Sequence, residues 1–153
     1  MKCIPLLNTI FIVQPDTKKS PQEVLDHLLN KDRFSRWMGL QIDEIRLGYC
    51  KLHFLVTNEM LNGLDMIHGG ILFSAADSAF AFACNSYGII TLALEVNINF
   101  IKSVKAGEIL TVEAVEIHFG SKIGIYDIRT INNLGELISL FKGTAYRTSK
   151  VIE

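Results

Sequence analysis

His68-Gly69-Gly70-Ile71-Leu72-Phe73-Ser74-Ala75-Ala76-Asp77-Ser78-Ala79-Phe80-Ala81-Phe82-Ala83-Cys84-Asn85-Ser86 is the stretch whose reading decides the fold. From Ile71 to Ser86, alanine and large apolar residues follow one another without a proline, a composition that favours helix. The run is apolar on nearly every face, which predicts a buried helix rather than a surface one. A single charge, Asp77, stands inside it. Burying a bare carboxylate is costly, so Asp77 must be paired, hydrated or functional. Desolvation would raise its pKa, which makes it the first candidate for chemistry. The competing reading is an acid that merely bonds a neighbouring backbone group or caps a turn.

The two glycines at the helix entrance bear on that choice. Gly69 and Gly70 would leave backbone N–H groups unpaired and uncovered by side chains. Such donors, backed by the helix dipole, suit a developing oxyanion. Gly70 and Asp77, however, are seven residues apart, roughly 10 Å along a helix. One reacting carbonyl can hardly be served from both ends of that segment. The spacing therefore predicts a symmetric dimer, in which one chain gives the glycine N–H and its partner the Asp.

Outward from the helix, the chain has 153 residues, 49% hydrophobic and 20% charged, enough for one domain with a real core. Its formal net charge is -1. No basic run would follow a phosphate backbone, so nucleic acid is not an expected partner. The three cysteines, Cys3, Cys50 and Cys84, are scattered and lack CxxC spacing. They read as reduced thiols of a cytoplasmic protein. His27, His53, His68 and His118 lack metal-ligand spacing, so no metal is expected. The nearly uncharged run from Met66 to Leu94 suggests a membrane span, but Asp77, the entrance glycines and Asn85-Ser86-Tyr87-Gly88 argue against one.

Residues 1–19 read as an N-terminal extension and residues 20–150 as the domain. Lys2 and the apolar run after it hint at a signal peptide. Pro5 and Asn8 break that run, and no small-x-small cleavage site follows. An extra edge strand, a mobile arm and an artefactual upstream start are the alternatives. Ser20-Pro21-Gln22-Glu23 is a helix start, with Ser20 as N-cap and Glu23 completing a capping box. Val24, Leu25, Leu28 and Leu29 form its apolar face. This helix is expected to fade near Asn30 or to run on toward Trp37, with Gly39 as its limit.

Leu40–Leu47 and Tyr49–Val56 read as a hairpin around Gly48, and Thr57–Ile67 as a loop into the central helix. Four strands follow it. Leu92–Phe100 alternates strictly, which predicts Leu92, Leu94, Val96, Ile98 and Phe100 on one face. In Leu110–Phe119, Ala114-Val115 breaks phase and predicts a bulge. Ile123–Ile131 and Leu137–Arg147 complete the set, with turns at Lys105-Ala106-Gly107-Glu108, Gly120-Ser121-Lys122 and Asn132-Asn133-Leu134-Gly135. The expected class is α+β, an antiparallel sheet wrapped around one long helix. Being long and almost free of charge, Leu92–Phe100 is the candidate edge for pairing with a second copy.

Leu61-Asn62-Gly63 through His68-Gly69-Gly70, then Phe73-Ser74 and Ala76 to Ser86, resemble the hotdog-fold acyl-CoA thioesterases, most nearly those of phenylacetyl-CoA type that serve phenylacetate degradation. The likeness extends to Val96-Asn97-Ile98-Asn99-Phe100, Gly124-Ile125-Tyr126-Asp127-Ile128 and Leu140 to Arg147, covering about residues 21 to 148. It implies a hotdog fold and hydrolysis of an acyl-CoA, aryl or medium-chain, without a cofactor. It also implies a site between two subunits, in a homodimer or a homotetramer of two dimers.

By the same resemblance Asp77 is the general base or nucleophile, and the Gly69 N–H of the facing subunit polarises the thioester carbonyl. Asn62 binds substrate or orients the attacking water. His68 positions groups near the sulfur, or else holds its loop by a backbone bond. The phosphates of coenzyme A would meet cations near turns, with Lys102, Ser121 and Lys122 as candidates beside Lys105. One departure stands at Ala93, where some relatives carry a Ser or Thr that helps hold the water; Thr91 lies nearby. The rival function is a non-catalytic acyl-CoA binding or sensing hotdog protein, which could dispense with Asp77. Enoyl-CoA hydration, another chemistry of this fold, fits His68-Gly69-Gly70 poorly.

Overall fold

The computed structural model describes residues 19–153; the expectations for residues 1–18 lie outside the described residues. The first helix, α1 (Pro21–Lys31), starts on the predicted capping box. Ser20 Oγ accepts from the Glu23 N–H at 3.3 Å, and the Glu23 carboxylate accepts from the Ser20 N–H at 2.6 Å. It ends at Lys31, near Asn30 as expected, and does not run unbroken to Trp37. Asp32 leaves the helical conformation and caps a separate short helix, α2 (Arg33–Trp37), by accepting from the Ser35 N–H at 2.9 Å. Gly39, at φ +69°, then turns the chain into the sheet.

The strands are β1 (Gln41–Arg46), β2 (Tyr49–Leu55), β3 (Ile89–Phe100), β4 (Ile109–Phe119), β5 (Ile123–Asn132) and β6 (Leu137–Val151). All pairs are antiparallel, in the order β1-β2-β4-β5-β6-β3. The long helix, α3 (Gly69–Asn85), packs against all six strands. Leu72, Ala75, Ala76, Ala79, Phe80 and Ala83 bury one side of it against Leu52, Phe54, Leu110, Val112, Tyr126 and Phe141. Small alanines let helix and sheet approach, and at Gly143 the sheet has no side chain in the way. A Cβ there would sit 2.7 Å from the Phe80 ring. The expected architecture, a sheet wrapped round one helix, is the observed one.

Two expectations within the strands are corrected. First, β3 does not carry one continuous apolar face. Its register with β6 shifts between Ala93 and Glu95. Val96 and Ile98 pack on the core, while Leu92 and Leu94 are 57% and 63% exposed. An inserted residue in a period-two element sends the side chains before it to the other face. Second, Ala114-Val115 is not a bulge. Leu110, Val112 and Ala114 alternate inward without interruption, and the shift falls between Glu116 and His118. Glu116, in phase with these three, turns its carboxylate inward to Arg147, Tyr126 and Tyr87 just before the shift.

β3 is an outer strand of the sheet and is exposed at Leu92, Leu94 and Phe100. Among the described residues, no helix is long and apolar enough to cross a membrane.

Candidate active site

The loop before α3 is fixed largely by Asn62. Its Oδ1 accepts from the N–H groups of Leu64 at 2.8 Å and Met66 at 3.4 Å, and its own N–H donates to the Met66 carbonyl at 2.7 Å. An Asn side chain that mimics a backbone turn in this way sets loop shape before it touches any ligand. The next residues are seated by Ile67 N–H on the Val104 carbonyl and His68 N–H on the Met60 carbonyl, both at 2.8 Å. His68 is the N-cap of α3. Its Nδ1 accepts from the Gly70 N–H at 2.9 Å, so the ring proton is on Nε2. The loop-holding role for His68 is therefore present in the structure.

This cap corrects the expectation that both entrance glycines keep open N–H groups. Gly70 gives its N–H to His68, and Ile71 gives its own to the His68 carbonyl at 2.9 Å. Gly69 N–H has no hydrogen bond among the described residues. One donor is left at the positive end of a 17-residue helix. Close approach accounts for both glycines. A Cβ on Gly70 would lie 2.9 Å from His68 Nδ1, and one on Gly69 would lie 3.1 Å from the Phe100 ring. Gly69 opens on a cleft of about 280 Å³ lined also by Asn62, Leu72, Phe100, Lys102 and Ser103.

Asp77 lies two turns further along α3, half-buried. Its carboxylate makes no hydrogen bond or ion pair among the described residues, so it neither caps nor braces anything there. Desolvation by burial pushes its pKa above the ordinary value of 3.8. It does not line the Gly69 cleft. The Gly69 N–H and the Asp77 carboxylate thus stand at different places along α3.

The expected phosphate ligands also divide. Lys102 shares the Gly69 cleft and is ion-paired with Glu136. Ser121 and Lys122 lie on the β4–β5 turn. Lys102 N–H bonds the Ile138 carbonyl at one end of β6, and the Lys122 carbonyl accepts from Arg147 N–H near the other. Nine strand residues separate these points, about 30 Å. The structure brings Asn62, Gly69 and Lys102 together, with His68 beside them, and leaves Asp77 and Ser121–Lys122 elsewhere in the chain.

The sequence pattern of the Thioesterase superfamily matches residues 64–138. A putative esterase of Archaeoglobus fulgidus is 40% identical over 129 residues, 84% of each chain. The acyl-coenzyme A thioesterase PaaI of Escherichia coli is 37% identical over 125 residues, 82% of this chain and 89% of its own. The chain belongs to the thioesterase superfamily.

The structure of the E. coli PaaI protein superimposes on this thioesterase with a TM-score of 0.85, at 34% identity, over 87% of this chain and 96% of that one. A Streptococcus pneumoniae thioesterase solved with coenzyme A gives a TM-score of 0.71 at 26% identity, over 73% and 88%. The fold is the hotdog fold, and the protein is a thioester hydrolase.

In this thioesterase neither residue near the departure at Ala93 supplies a hydroxyl free to hold water. Ala93 is exposed, and Thr91 is 4% exposed with Oγ1 donating to the Ile89 carbonyl at 3.0 Å. Residue patterns missed a second feature. Arg147, 4% exposed, is ion-paired with Glu116, and Glu116 accepts from Tyr126 OH at 2.7 Å and Tyr87 OH at 2.5 Å. An Arg and a Glu 31 residues apart carry no local signal. Only the pairing of β4, β5 and β6 brings them together.

Proposed function

We propose that this thioesterase hydrolyses acyl-CoA, giving a carboxylate and free coenzyme A, at a site shared between two protomers. The observation that carries the reading is the distribution along α3 of two unsatisfied groups: the Gly69 N–H at its start and the Asp77 carboxylate two turns on. Antiparallel pairing of two β3 strands about a two-fold axis sets the Phe100 end of one beside the Ile89 end of the other. Such pairing covers the exposed Leu92 and Leu94. It also carries the Gly69, Asn62 and Lys102 end of one protomer toward the Ser121–Lys122 end of its partner. The phosphates of one coenzyme A then find their cations from two chains. The same pairing makes a homodimer the minimum assembly, and the resemblance to the acyl-CoA thioesterases extends this to a homotetramer.

In this reading the Gly69 N–H takes the oxyanion that forms as the thioester carbonyl is attacked. Asp77 attacks directly or takes the proton of the attacking water. His68, capped onto Gly70, holds the donor in place, and Asn62 shapes the loop and offers its amide to substrate. The domain spans residues 20–150, and the acyl group is aryl or medium-chain. The E. coli relative, from a phenylacetic acid degradation operon, supports the aryl reading. A non-catalytic acyl-CoA binder would have no use for a desolvated acid that stabilises nothing around it.

Thiol release from a panel of phenylacetyl-, hydroxyaryl- and medium-chain acyl-CoAs tests the proposal. Wild type should release coenzyme A, and Asp77→Asn should fold yet lose about 10²–10⁴ in kcat. Wild-type protein that binds the panel but releases nothing would sink the enzyme reading and leave the binder.

A further inference from the structure

We propose that Arg147 is a positioning residue that shapes the β4–β5 turn into a phosphate-binding element for the nucleotide end of the substrate. This rests on the acyl-CoA reading above. The turn is Gly120-Ser121-Lys122-Ile123, and nearly all its carbonyls are consumed. Arg147 Nη1 donates to the Gly120 carbonyl at 2.5 Å and to the Ile123 carbonyl at 3.4 Å. Arg147 N–H donates to the Lys122 carbonyl at 2.8 Å, and Gly120 N–H closes the turn on the Ile123 carbonyl at 2.9 Å. The donors show the opposite state. The N–H groups of Ser121 and Lys122 have no hydrogen bond among the described residues, and both side chains are exposed. A turn with its acceptors engaged and successive N–H groups uncommitted, next to a hydroxyl and an ammonium, has the chemistry of an anion site.

Arg147 is held hard. Its Nη2 pairs with Glu116, whose side chain is 9% exposed, and its guanidinium lies 4.1 Å from the centroid of the Phe119 ring. Tyr126 and Tyr87 fill further acceptor positions on Glu116. A Cβ on Gly124 would come within 3.0 Å of Nη2, so glycine is what admits the guanidinium. Stability is a weak account of this cluster, since a buried ion pair roughly breaks even against apolar packing. Geometry is a better one. One rigid guanidinium plane spans a carboxylate and two turn carbonyls, which a lysine ammonium cannot do.

The test compares an acyl-CoA with the same acyl group on N-acetylcysteamine, which carries the thioester but no phosphate. Lys122→Ala and Arg147→Lys should each raise KM for the acyl-CoA by about tenfold, the scale of one charge-assisted hydrogen bond. Each should leave kcat, and both constants on the truncated substrate, within about twofold. If Arg147→Lys does not fold, Tyr126→Phe leaves the ion pair in place and should still raise KM for the acyl-CoA alone, by a smaller factor. Equal losses on both substrates would make the cluster structural only and overturn the proposal. An unchanged KM for acyl-CoA in Arg147→Lys, with Lys122→Ala impaired, would overturn it too. If Lys122→Ala also leaves KM unchanged, the turn binds no phosphate and the proposal fails. Thiol release by wild type would still uphold acyl-CoA hydrolysis in that case.

Discussion

Asp77 is a carboxylate with a raised pKa and, among the described residues, no partner to compensate its burial. Its sign follows from linkage. The folded state holds the proton more tightly than the unfolded chain, whose value is near 3.8. As pH rises from 3.8 through the raised folded value, the native protein binds more protons than the unfolded one, so stability falls across that window and stays lowered above it. Asp77→Asn removes this cost. The variant should melt with wild type below pH 3.8 and at a higher temperature at neutral pH, while its activity is lost. Thermal melts at the two pH values check this. A variant that melts lower at neutral pH would show that Asp77 braces the fold. The acid limb of the wild-type kcat profile should likewise lie above the usual carboxylate range.

At the scale of elements, α3 and β6 meet with little room at Gly143. Gly143→Ala would drive a methyl to 2.7 Å from the Phe80 ring, which packs edge-on to Tyr126 with centroids 5.3 Å apart. Overpacking of this kind costs about 1–3 kcal/mol. A lowered urea midpoint with an unchanged slope should report it. The elements themselves were largely legible in the sequence. The capping box at Ser20 and the unbroken apolar run after Gly70 are local signals, and local physics decides them. What was not legible depends on distant partners. The β4 bulge falls beyond Glu116, whose partner Arg147 lies on another strand, the second short helix starts on the cap between Asp32 and Ser35, and the phase of β3 changes at an insertion that alternation cannot reveal. In the site, Asp77 and Gly69 stood out by composition, whereas the cap from His68 to Gly70 requires a ring orientation that no pattern encodes.

The proposal of a shared site follows from the spacing along α3. If two chains share each site, Asp77→Ala subunits mixed with Asn62→Ala subunits should recover about one intact site per hybrid dimer. Either parent alone should stay inactive. Hybrids that exchange fully and regain nothing would refute a composite site. Leu94→Lys, on the exposed side of β3, should separate the protomers in sedimentation and abolish activity together, since a lone protomer holds donor and acid apart.

Cys50 and Cys84 are buried, and burial pushes both thiols up to about 12. An enzyme that liberates a thiol works beside a compound that any oxidant converts into a disulfide, and that disulfide exchanges with accessible thiolates. Exchange needs a thiolate on one side and access on the other, and these two cysteines offer neither. The hydrophobic packing that builds the core thus also shields these thiols from exchange with the disulfide that the product forms once an oxidant has acted on it. Within the described residues, the colour developed by a thiol reagent during turnover belongs to the product alone.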